Sequence, residues 1–405
     1  MAGEAWQRTY AELDRAASEA AAGLAEGERV LAPARPDLDF VVLVHATARA
    51  GAVFVPLDPR MTEREAVAHR DVAEAVRAAP GDTVIFTSGT TGGPKPVVLT
   101  GENHAASAIA SAWNLGVAPD DRWLCVLPLH HVGGLAILLR SVIYGTTAVL
   151  HEGFDAQRAV RAIENGEVTL ASLVATMLRR TRTAGLSGPG ALRAVLLGGG
   201  PVPRDLLEWA AGIGLPALQT YGMTETASQI ATLQIGEAIR HHGSAGRALL
   251  GVELQIGDDG EILVRGPMVA RSGLARDGWL HTGDAGHLDE DGFLHVHGRI
   301  DDTIVTGGEN VAAREVEDAL LAHPAVADAA VAGQPDAEWG EAVVAWVVLA
   351  THASDAELAA HCRRRLADFK VPKRFIRMRE LPRNEAGKVV RRRLPHARRR
   401  YSHPP

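Results

Sequence analysis

The sequence contains only two cysteines, Cys125 and Cys362, among its 405 residues. They are far apart and show no metal-ligand spacing, which argues against a disulfide framework and against a structural zinc site. Isolated cysteines of this kind are typical of a protein that remains in a reducing compartment. We therefore expect a cytoplasmic protein.

The sequence also lacks an excess of positive charge and a long apolar run. Its formal net charge is -7, whereas nucleic-acid binding requires a basic patch. The arginine runs at 391–393 and 398–400 are interpreted as solvated surface. No apolar run reaches the length of a membrane span, and the N-terminus carries no secretory pattern. We therefore expect the partners to be small molecules, with no nucleic acid and no membrane insertion. A homo-oligomer is compatible with these features.

The first two thirds of the chain alternate between helical and strand patterns. Helical stretches at 10–24 and 37–51 are interleaved with short apolar strands at 29–32, 52–57 and 84–86. This alternation predicts α/β layers built on a parallel sheet. From about Gly243 the pattern changes to short alternating segments separated by Asp-Gly pairs at 259–260, 277–278 and 291–292. Such pairs predict hairpin turns and a small antiparallel β unit.

A third pattern begins after residue 298. A helix at 313–322 precedes strands at 326–331 and 342–349, and Ser354 with Glu357 forms the capping-box signature of another helix. The predicted fold class is α/β, with a large N-terminal domain of α/β layers plus a small β unit and a smaller mobile α+β C-terminal domain. We place the N-terminal domain at residues 1–298, a hinge at 299–302 and the C-terminal domain at 303–405.

A loop rich in glycine and hydroxyl side chains follows the strand at 84–86. It reads Thr87-Ser88-Gly89-Thr90-Thr91-Gly92-Gly93-Pro94-Lys95 and lacks the Gly-Lys-Ser/Thr ending of a Walker loop. Its glycines let backbone N–H groups point at one anion, while the hydroxyls and the lysine add donors and positive charge. Composition alone leaves a mobile surface loop equally open. Its position directly after a buried strand favours a triphosphate site.

Six motifs, in this order, resemble those of the adenylate-forming superfamily of acyl-CoA synthetases, peptide-synthetase adenylation domains and luciferases. They are the loop at 87–95, Tyr-Gly-Met-Thr-Glu at 221–225, Thr-Gly-Asp at 282–284, Gly-Arg-x-Asp-Asp at 298–302, Gly-Gly-Glu-Asn at 307–310 and Gly-Lys at 387–388. The resemblance extends from about residue 9 to residue 394. It implies an enzyme that uses ATP and Mg²⁺ to activate a carboxylic acid as an acyl-adenylate and then transfers the acyl group to coenzyme A.

The resemblance also implies a role for each matching position. The catalytic set would be Lys388, His131, Thr224 and Glu225, with Glu225 as the Mg²⁺ ligand. The ATP or AMP site would comprise Thr87, Ser88, Gly89, Thr90, Thr91, Lys95, Gly198, Gly199, Gly200, Tyr221, Gly222, Asp284 and Arg299. Taken singly, several of these residues have ordinary structural explanations. The three glycines could form a plain tight turn, Asp284 could be a turn or cap residue, and Lys388 could be a solvated charge on the surface.

The domain junction and the loop after it carry the remaining roles that the resemblance implies. Asp301 would be the hinge about which the C-terminal domain rotates, and Gly307 and Gly308 would form the loop presented to coenzyme A. Pro96 departs from the glycine usual in the family. A second departure is the short stretch between Arg70 and Gly81, which trims the first α/β region.

The stretch 128–141 bears on the acid substrate. His131 matches the histidine that the family places between the acid site and the phosphates, and Arg140 is a permanent charge inside an apolar helical run. A buried cation needs a carboxylate, from the protein or from a ligand. This stretch and residues 221–230, with Ser228 on the acid side, resemble the 2-succinylbenzoate–CoA ligases of menaquinone synthesis, whose aromatic diacid would place its second carboxylate at Arg140.

Three alternatives stay open at this point. The chain could be an acyl- or aryl-CoA ligase for another acid, or it could load an acid onto a carrier protein. It could also be a non-catalytic nucleotide- or acyl-binding protein, against which the intact Glu225, Asp284 and Lys388 argue.

Overall fold

The computed structural model describes residues 6–88, 94–336, 338–383 and 389–395. The predicted site residues Gly89, Thr90, Thr91 and Lys388 lie outside this part of the chain, as does the side chain of Ser88. Internal contacts divide the chain into two compact units. The first comprises Met1–Gln255, Leu263–His281 and Leu288–His295, and the second comprises Ile256–Ile262, Thr282–His287 and Val296–Pro405.

The first unit begins with a small α/β layer. Its helices are α1 (Tyr10–Ala21), α2 (Leu38–Ala50) and α3 (Glu63–Ala75), and its sheet has the order β1 (Arg29–Pro33), β2 (Val53–Leu57), β3 (Thr83–Ser88), β4 (Pro94–Leu99). The side chain of Asp37 caps the N-terminus of α2, and Gly51 ends that helix in the left-handed conformation at φ 68°. The short stretch between Arg70 and Gly81 contains the end of α3 and the loop that leads to β3.

A seven-stranded sheet forms the larger layer of the first unit. Its elements in chain order are α4 (Gly101–Leu115), β5 (Arg122–Cys125), α5 (Val132–Tyr144), β6 (Thr147–Leu150), α6 (Ala156–Glu164), β7 (Leu170–Val174), α7 (Ala175–Thr183), β8 (Ala194–Gly198), α8 (Arg204–Gly212), β9 (Ala217–Met223), β10 (Ser228–Thr232) and β11 (Arg247–Ala248). The strand order is β11-β10-β9-β8-β7-β5-β6, with parallel pairing from β6 through to β9. The prediction of α/β layers on a parallel sheet is confirmed.

The predicted β unit is a four-stranded sheet in the order β12 (Glu253–Ile256), β13 (Glu261–Arg265), β14 (Leu280–Leu288), β15 (Leu294–Arg299). The three Asp-Gly pairs lie at its turns. Gly260, Gly278 and Gly292 have φ values of 81°, 83° and 79°, which residues with a Cβ rarely adopt. The hairpin chemistry in the sequence therefore locates the turns of this sheet correctly.

The second unit carries its own sheet, in the order β17 (Glu309–Ala312), β16 (Thr303–Thr306), β19 (Gly340–Leu349), β18 (Val326–Asp336), with β20 (Arg374–Arg377) paired to β19. Helices α9 (Ala313–Leu321) and α10 (Asp355–Arg363) accompany it. Ser354 and Glu357 form the predicted capping box of α10. Val343, Val347 and Leu358 are among the core residues with no solvent exposure.

No helix in the described part of the chain is both long enough and apolar enough to span a membrane. The domain limits expected from the sequence, with a hinge at 299–302, stay a prediction.

Candidate active site

The hairpin of β3 and β4 carries both ends of the predicted triphosphate loop. Thr87 lies opposite Lys95 and Ser88 opposite Pro94 in an antiparallel register, and the Thr87 hydroxyl donates to the Lys95 carbonyl at 3.4 Å. Pro96 lies opposite Phe86. Because β4 is the last strand of its sheet, the missing N–H of Pro96 removes no ladder hydrogen bond from a central strand. The proline is compatible with this hairpin.

Glu225 lies in a tight turn of residues 224–226 between β9 and β10. Gly222 is required there, since a Cβ at this position would lie 1.8 Å from the Ser228 carbonyl oxygen. Ala227 and Ser228 follow at φ 48° and 110°. Non-glycine residues held in this region cost about 1–3 kcal/mol each and occur at functional sites. The turn is therefore strained and is held by its surroundings.

Lys95 and Glu225 face each other in the first unit. The Lys95 ammonium is 3.5 Å from a Glu225 carboxylate oxygen, with the lysine side chain 65% exposed and the glutamate 13% exposed. An ion pair with one exposed partner contributes at most about 1 kcal/mol, so the lysine can exchange this contact for another anion. The Glu225 carbonyl accepts from the Ala270 N–H at 2.7 Å, which fixes the backbone that presents the carboxylate. A cation and a hard carboxylate thus meet beside the hairpin.

The predicted adenine residues lie at the carboxyl ends of two neighbouring parallel strands. Leu197 pairs with Gln219 in β8 and β9, so Gly198 and Tyr221 lie at the same edge of the sheet. Gly199 has φ 77°, and a Cβ on Gly200 would meet no atom within 4 Å. Bare backbone next to an aromatic ring at a carboxyl edge suits a flat ligand.

His131 precedes α5, the helix that contains Arg140. It occupies the N-cap position without a side-chain capping bond, and its ring lies 4.3 Å from the ring of His130 between centroids. Burial lowers the pKa of His130 to about 4. The start of the helix packs tightly, since a Cβ on Gly134 would lie 2.4 Å from the Pro128 carbonyl oxygen. This close approach fixes where the helix begins.

Arg140 is buried, with 4% exposure. Its guanidinium donates to the Gln229 side-chain oxygen at 2.8 Å and to the Ser107 hydroxyl at 3.0 Å, and it lies 5.8 Å from the centroid of the Trp123 ring. Its Nε has no hydrogen-bond partner, and no acidic side chain within the described ranges pairs with it. Burial lowers the pKa of Arg140. The protein has buried a cation among neutral groups, which is costly unless a ligand supplies the anion.

The sequence did not reveal how Arg140 connects to the turn around Glu225. The Ser107 hydroxyl, which accepts from Arg140, donates to the Ala227 carbonyl at 2.8 Å, and Ala227 is one of the two strained residues. Gln229 also donates to Thr220 and Thr232 at 3.2 and 3.3 Å. No sequence signal marks Ser107, because a serine within a helix is usually unremarkable.

In the second unit the structure brings together the two residues predicted to contact the ribose. The Arg299 guanidinium lies 3.5 Å from the Asp284 carboxylate and donates to the Thr282 carbonyl at 3.0 Å. Gly283, which lies between Thr282 and Asp284 in the chain, has φ 69°, and a Cβ there would lie 2.7 Å from an Arg299 nitrogen. The Asp284 side chain is 15% exposed. The glycine therefore permits the arginine to lie against this strand.

The residues predicted to form the hinge and the loop facing coenzyme A also belong to the second unit. Asp301 is exposed in a short turn of residues 300–302. Gly307 and Gly308, at φ 60° and 86°, form the turn between β16 and β17. The Gly307 N–H donates to the Trp339 carbonyl at 2.8 Å, and a Cβ on Gly307 would lie 3.0 Å from the Trp339 ring. Sequence reasoning missed this tryptophan, which packs against the predicted loop.

Comparison with known proteins places these features in a family. The AMP-binding enzyme family matches residues 2–76 and 67–272, and the C-terminal domain of AMP-binding enzymes matches residues 315–388. A 2-succinylbenzoate–CoA ligase of Bacillus licheniformis is 46% identical over 354 residues, which are 83% of this chain and 72% of the relative.

Solved structures agree with the sequence relatives. The o-succinylbenzoate CoA synthetase of Bacillus subtilis with its acyl-adenylate intermediate superimposes with a TM-score of 0.88 at 37% identity, covering 98% of this chain and 95% of the other. The same enzyme with ATP and a magnesium ion gives a TM-score of 0.87 at 36% identity, covering 97% and 95%. The predicted resemblance is confirmed. The chain therefore belongs to the AMP-binding enzyme family.

Proposed function

We propose that this chain converts 2-succinylbenzoate, ATP and coenzyme A to 2-succinylbenzoyl-CoA, AMP and diphosphate through an acyl-adenylate, a step of menaquinone biosynthesis. The observation that carries the choice of acid is the buried Arg140 guanidinium, which has only neutral hydrogen-bond partners among the described residues. A diacid activated at one carboxylate keeps a second negative charge that such a cation can receive. The similarity to 2-succinylbenzoate–CoA ligases supports the same substrate.

The proposal gives each residue that matches a family motif a nucleotide contact. The proposal assigns the triphosphate to residues 87–91 and Lys95, the adenine to Gly198–Gly200, Tyr221 and Gly222, and the ribose to Asp284 and Arg299. Lys95 is free to serve an anion because its side chain is 65% exposed and its contact with Glu225 is 3.5 Å long. Thr224 would donate its hydroxyl to a phosphate, while His131 and Ser228 would lie on the acid side.

Glu225 is the residue that fits Mg²⁺. No group of three or more His, Cys, Asp or Glu side chains suitable for a metal occurs in the described ranges. A single carboxylate still suits Mg²⁺, which commonly uses one or two protein carboxylates and completes its shell with phosphate oxygens and water. When bound, Mg²⁺ would neutralise phosphate charge as diphosphate leaves. Glu225 would orient the phosphates by holding that ion.

The acyl transfer would follow a rotation about Asp301 that presents the Gly307–Gly308 turn to coenzyme A. Lys388 would act only before that rotation. It would neutralise charge as a carboxylate oxygen attacks the α-phosphorus. Lys388→Ala should therefore lower pyrophosphate release by roughly 100- to 1,000-fold and leave the conversion of supplied acyl-adenylate and coenzyme A to thioester near wild type.

Two assays test the proposal. Pyrophosphate release is measured with 2-succinylbenzoate, benzoate and a straight-chain fatty acid, and thioester formation is measured from synthetic acyl-adenylate. The proposal requires the diacid to have the highest kcat/KM. A higher value for either monoacid would reassign the substrate, and equal loss of both half-reactions in Lys388→Ala would refute the role of the lysine.

We also propose that the protein works in the cytoplasm on small molecules. Both cysteines are buried and free, and burial raises the pKa of Cys125 to about 12, so this thiol is not poised for disulfide exchange. A homo-oligomer remains a prediction.

A further inference from the structure

Asn103 joins the start of α4 to the segment that follows β13. Its side-chain nitrogen donates to the carbonyl oxygens of Pro267 at 2.8 Å and Val269 at 3.1 Å. Its side-chain oxygen accepts from the Thr100 N–H at 2.9 Å, which is half of the capping box of α4. Asn103 is 5% exposed. Both ends of this buried amide are therefore engaged.

The contacts beyond the helix cap explain why position 103 is an asparagine. The capping boxes of α1, α3 and α10 have a glutamate at the same position, namely Glu12, Glu65 and Glu357, and glutamate is a usual choice there. A carboxylate accepts from the cap N–H but has no hydrogen to donate, whereas an amide does both. The residue type at position 103 therefore serves the two distant carbonyls as well as the cap.

The segment that Asn103 holds lies against Glu225. Immediately after Val269, the Ala270 N–H donates to the Glu225 carbonyl at 2.7 Å. A Cβ on Gly273 would lie 3.7 Å from the Glu225 Cβ, so the same segment also contacts the base of the Glu225 side chain. Asn103 is thus connected to the backbone that presents this carboxylate through a short stretch of buried chain.

Helix α4 holds the same turn at a second point. Ser107 lies one helical turn after Asn103 on the same face, and its hydroxyl donates to the Ala227 carbonyl at 2.8 Å. Ala227 and Ser228 have φ values of 48° and 110°. Such strained backbone persists only where its surroundings hold it. The two contacts from α4 therefore hold the turn on either side of Glu225.

We propose that Asn103 is a positioning residue for the magnesium ligand. Through residues 267–270 it holds the Glu225 turn in the strained conformation that presents the carboxylate to Mg²⁺. The inference rests on the proposed function, in which Glu225 holds the ion that accompanies ATP. Asn103 touches neither the ion nor the nucleotide. Its loss should therefore weaken the contribution of Mg²⁺ to ATP binding and leave the other contacts of the nucleotide in place.

The first measurement is the Kd of ATP in Asn103→Ala, determined by calorimetry with saturating Mg²⁺ and again with EDTA. The ratio of the two values measures what the ion adds. Loss of a direct partner of a metal ligand costs about 10- to 100-fold in metal affinity. Because Asn103 acts through one further hydrogen bond, the ratio should fall by about 3- to 10-fold. The Kd in EDTA should change little.

The second measurement follows the turn without any ligand. In Asn103→Ala, hydrogen exchange should become faster in peptides covering residues 223–230 and 267–273, because both segments lose part of what holds them. Asn103→Asp keeps the acceptor for the Thr100 N–H but turns a second oxygen toward two carbonyls. It should therefore show a fall in the Kd ratio at least as large as that of Asn103→Ala.

Thr100→Ala is the matched control. It removes the hydroxyl that accepts from the Asn103 N–H at 3.1 Å, which is the other half of the same capping box, and it leaves the two donors of Asn103 in place. The variant should be less stable to heat, since a helix cap is lost. Its Kd ratio and its exchange in both peptides should stay at the wild-type values.

The outcomes separate this inference from the function on which it rests. Glu225→Gln should lose most of the gain in ATP affinity that Mg²⁺ provides. If it does so while Asn103→Ala keeps that gain, or if Thr100→Ala matches Asn103→Ala, the inference is wrong. If Glu225→Gln itself keeps the gain, the proposed role of Glu225 fails and the inference fails with it. Poor folding of Asn103→Ala moves the decision to Asn103→Asp, where an unchanged ratio overturns the inference.

Discussion

At the scale of single residues, Arg140 is the most informative position in the chain. It combines 4% exposure with two neutral acceptors, Gln229 and Ser107. Two consequences follow from these contacts. The guanidinium can receive a carboxylate from the acid, and through Ser107 it also supports the strained backbone at Ala227. An experiment on Arg140 has to separate recognition of the substrate from support of the turn.

Arg140→Leu should lower kcat/KM for 2-succinylbenzoate by about 10- to 150-fold, because a charge-assisted hydrogen bond contributes about 1.5–3 kcal/mol. For 4-oxo-4-phenylbutyrate, which lacks the ring carboxylate, the same variant should lose little or gain activity. The affinity for ATP should stay at the wild-type value. The measurement is kcat/KM for both acids with each protein.

Ser107→Ala is the matched control for Arg140→Leu. It removes the two hydrogen bonds by which Ser107 connects Arg140 to Ala227, and it keeps the guanidinium. Any fall in kcat/KM should therefore be the same for both acids. If Arg140→Leu also lowers kcat/KM for both acids in equal proportion, Arg140 supports the turn and does not bind the second carboxylate. The substrate would then revert to an unspecified aryl or acyl acid.

At the scale of elements, residues of α2, α4 and α5 line a cavity of about 180 Å³, and α2 and α4 each contribute a histidine to its wall. His45 and His104 both have a buried Nε2 without a hydrogen-bond partner in the described part of the chain. Burial lowers the pKa of each to about 4, and the charge of Arg140 adds to the effect at His104. Both imidazoles are therefore neutral in the folded protein at neutral pH.

This packing predicts loss of stability on acidification. The unfolded chain takes up a proton on each histidine near pH 6.5, while the folded chain does so only near pH 4. The free energy of unfolding should therefore fall as the pH drops from about 6.5 to 4, by at most about 3.4 kcal/mol for each histidine. Below pH 4 these two groups should contribute no further change.

The measurement is chemical denaturation of wild type and His104→Leu at pH 7.0 and pH 4.5. Carboxylates also lose stabilising contacts in this range, so the informative quantity is the difference between the two proteins. The variant should show a smaller fall in the free energy of unfolding. An equal fall in both proteins would mean that His104 is already protonated in the folded state or is solvated.

At the scale of the whole molecule, the chain consists of two compact units, and each contains residues for which we propose a role. Tyr221, Glu225 and Arg140 belong to the first unit, whereas Asp284 and Arg299 belong to the second. Two half-reactions that need different groups at one site are best served by a change of domain pose. The short turn of residues 300–302 is where we expect that change to occur.

Asp301→Pro tests this expectation. Proline fixes φ near −65°, so a hinge at this residue should be trapped in one pose. One half-reaction should then fall at least about tenfold more than the other, as measured by pyrophosphate release and by thioester formation from supplied acyl-adenylate. Asp291→Pro, in an exposed turn of the small sheet, serves as a control for the general cost of a proline. Near-wild-type rates for both half-reactions in a folded Asp301→Pro would place the hinge elsewhere.

Much of the fold could be predicted because its signals are local. The capping box at Ser354 and the Asp-Gly turns at 259–260 and 291–292 depend on residues close in sequence, and the structure has them as expected. Boundaries that depend on pairing could not be predicted. The strand expected at 326–331 continues to Asp336 through Gly333 and Pro335, because the whole stretch pairs with β19. Pairing with the next strand along the chain outweighed the local preference of those residues.

The sequence by itself determined the family and the order of its motifs, since each motif is a short run of residues that the chain carries directly. The tertiary structure alone decided which distant groups meet. Arg140 lies 33 residues from Ser107 and 89 from Gln229, and Arg391 lies 89 residues from Asp302. Contacts at such separations depend on how strands and helices pack, and no local pattern encodes them. The neutral surroundings of the buried Arg140 and the contact between Arg391 and Asp302 became visible only in the folded chain.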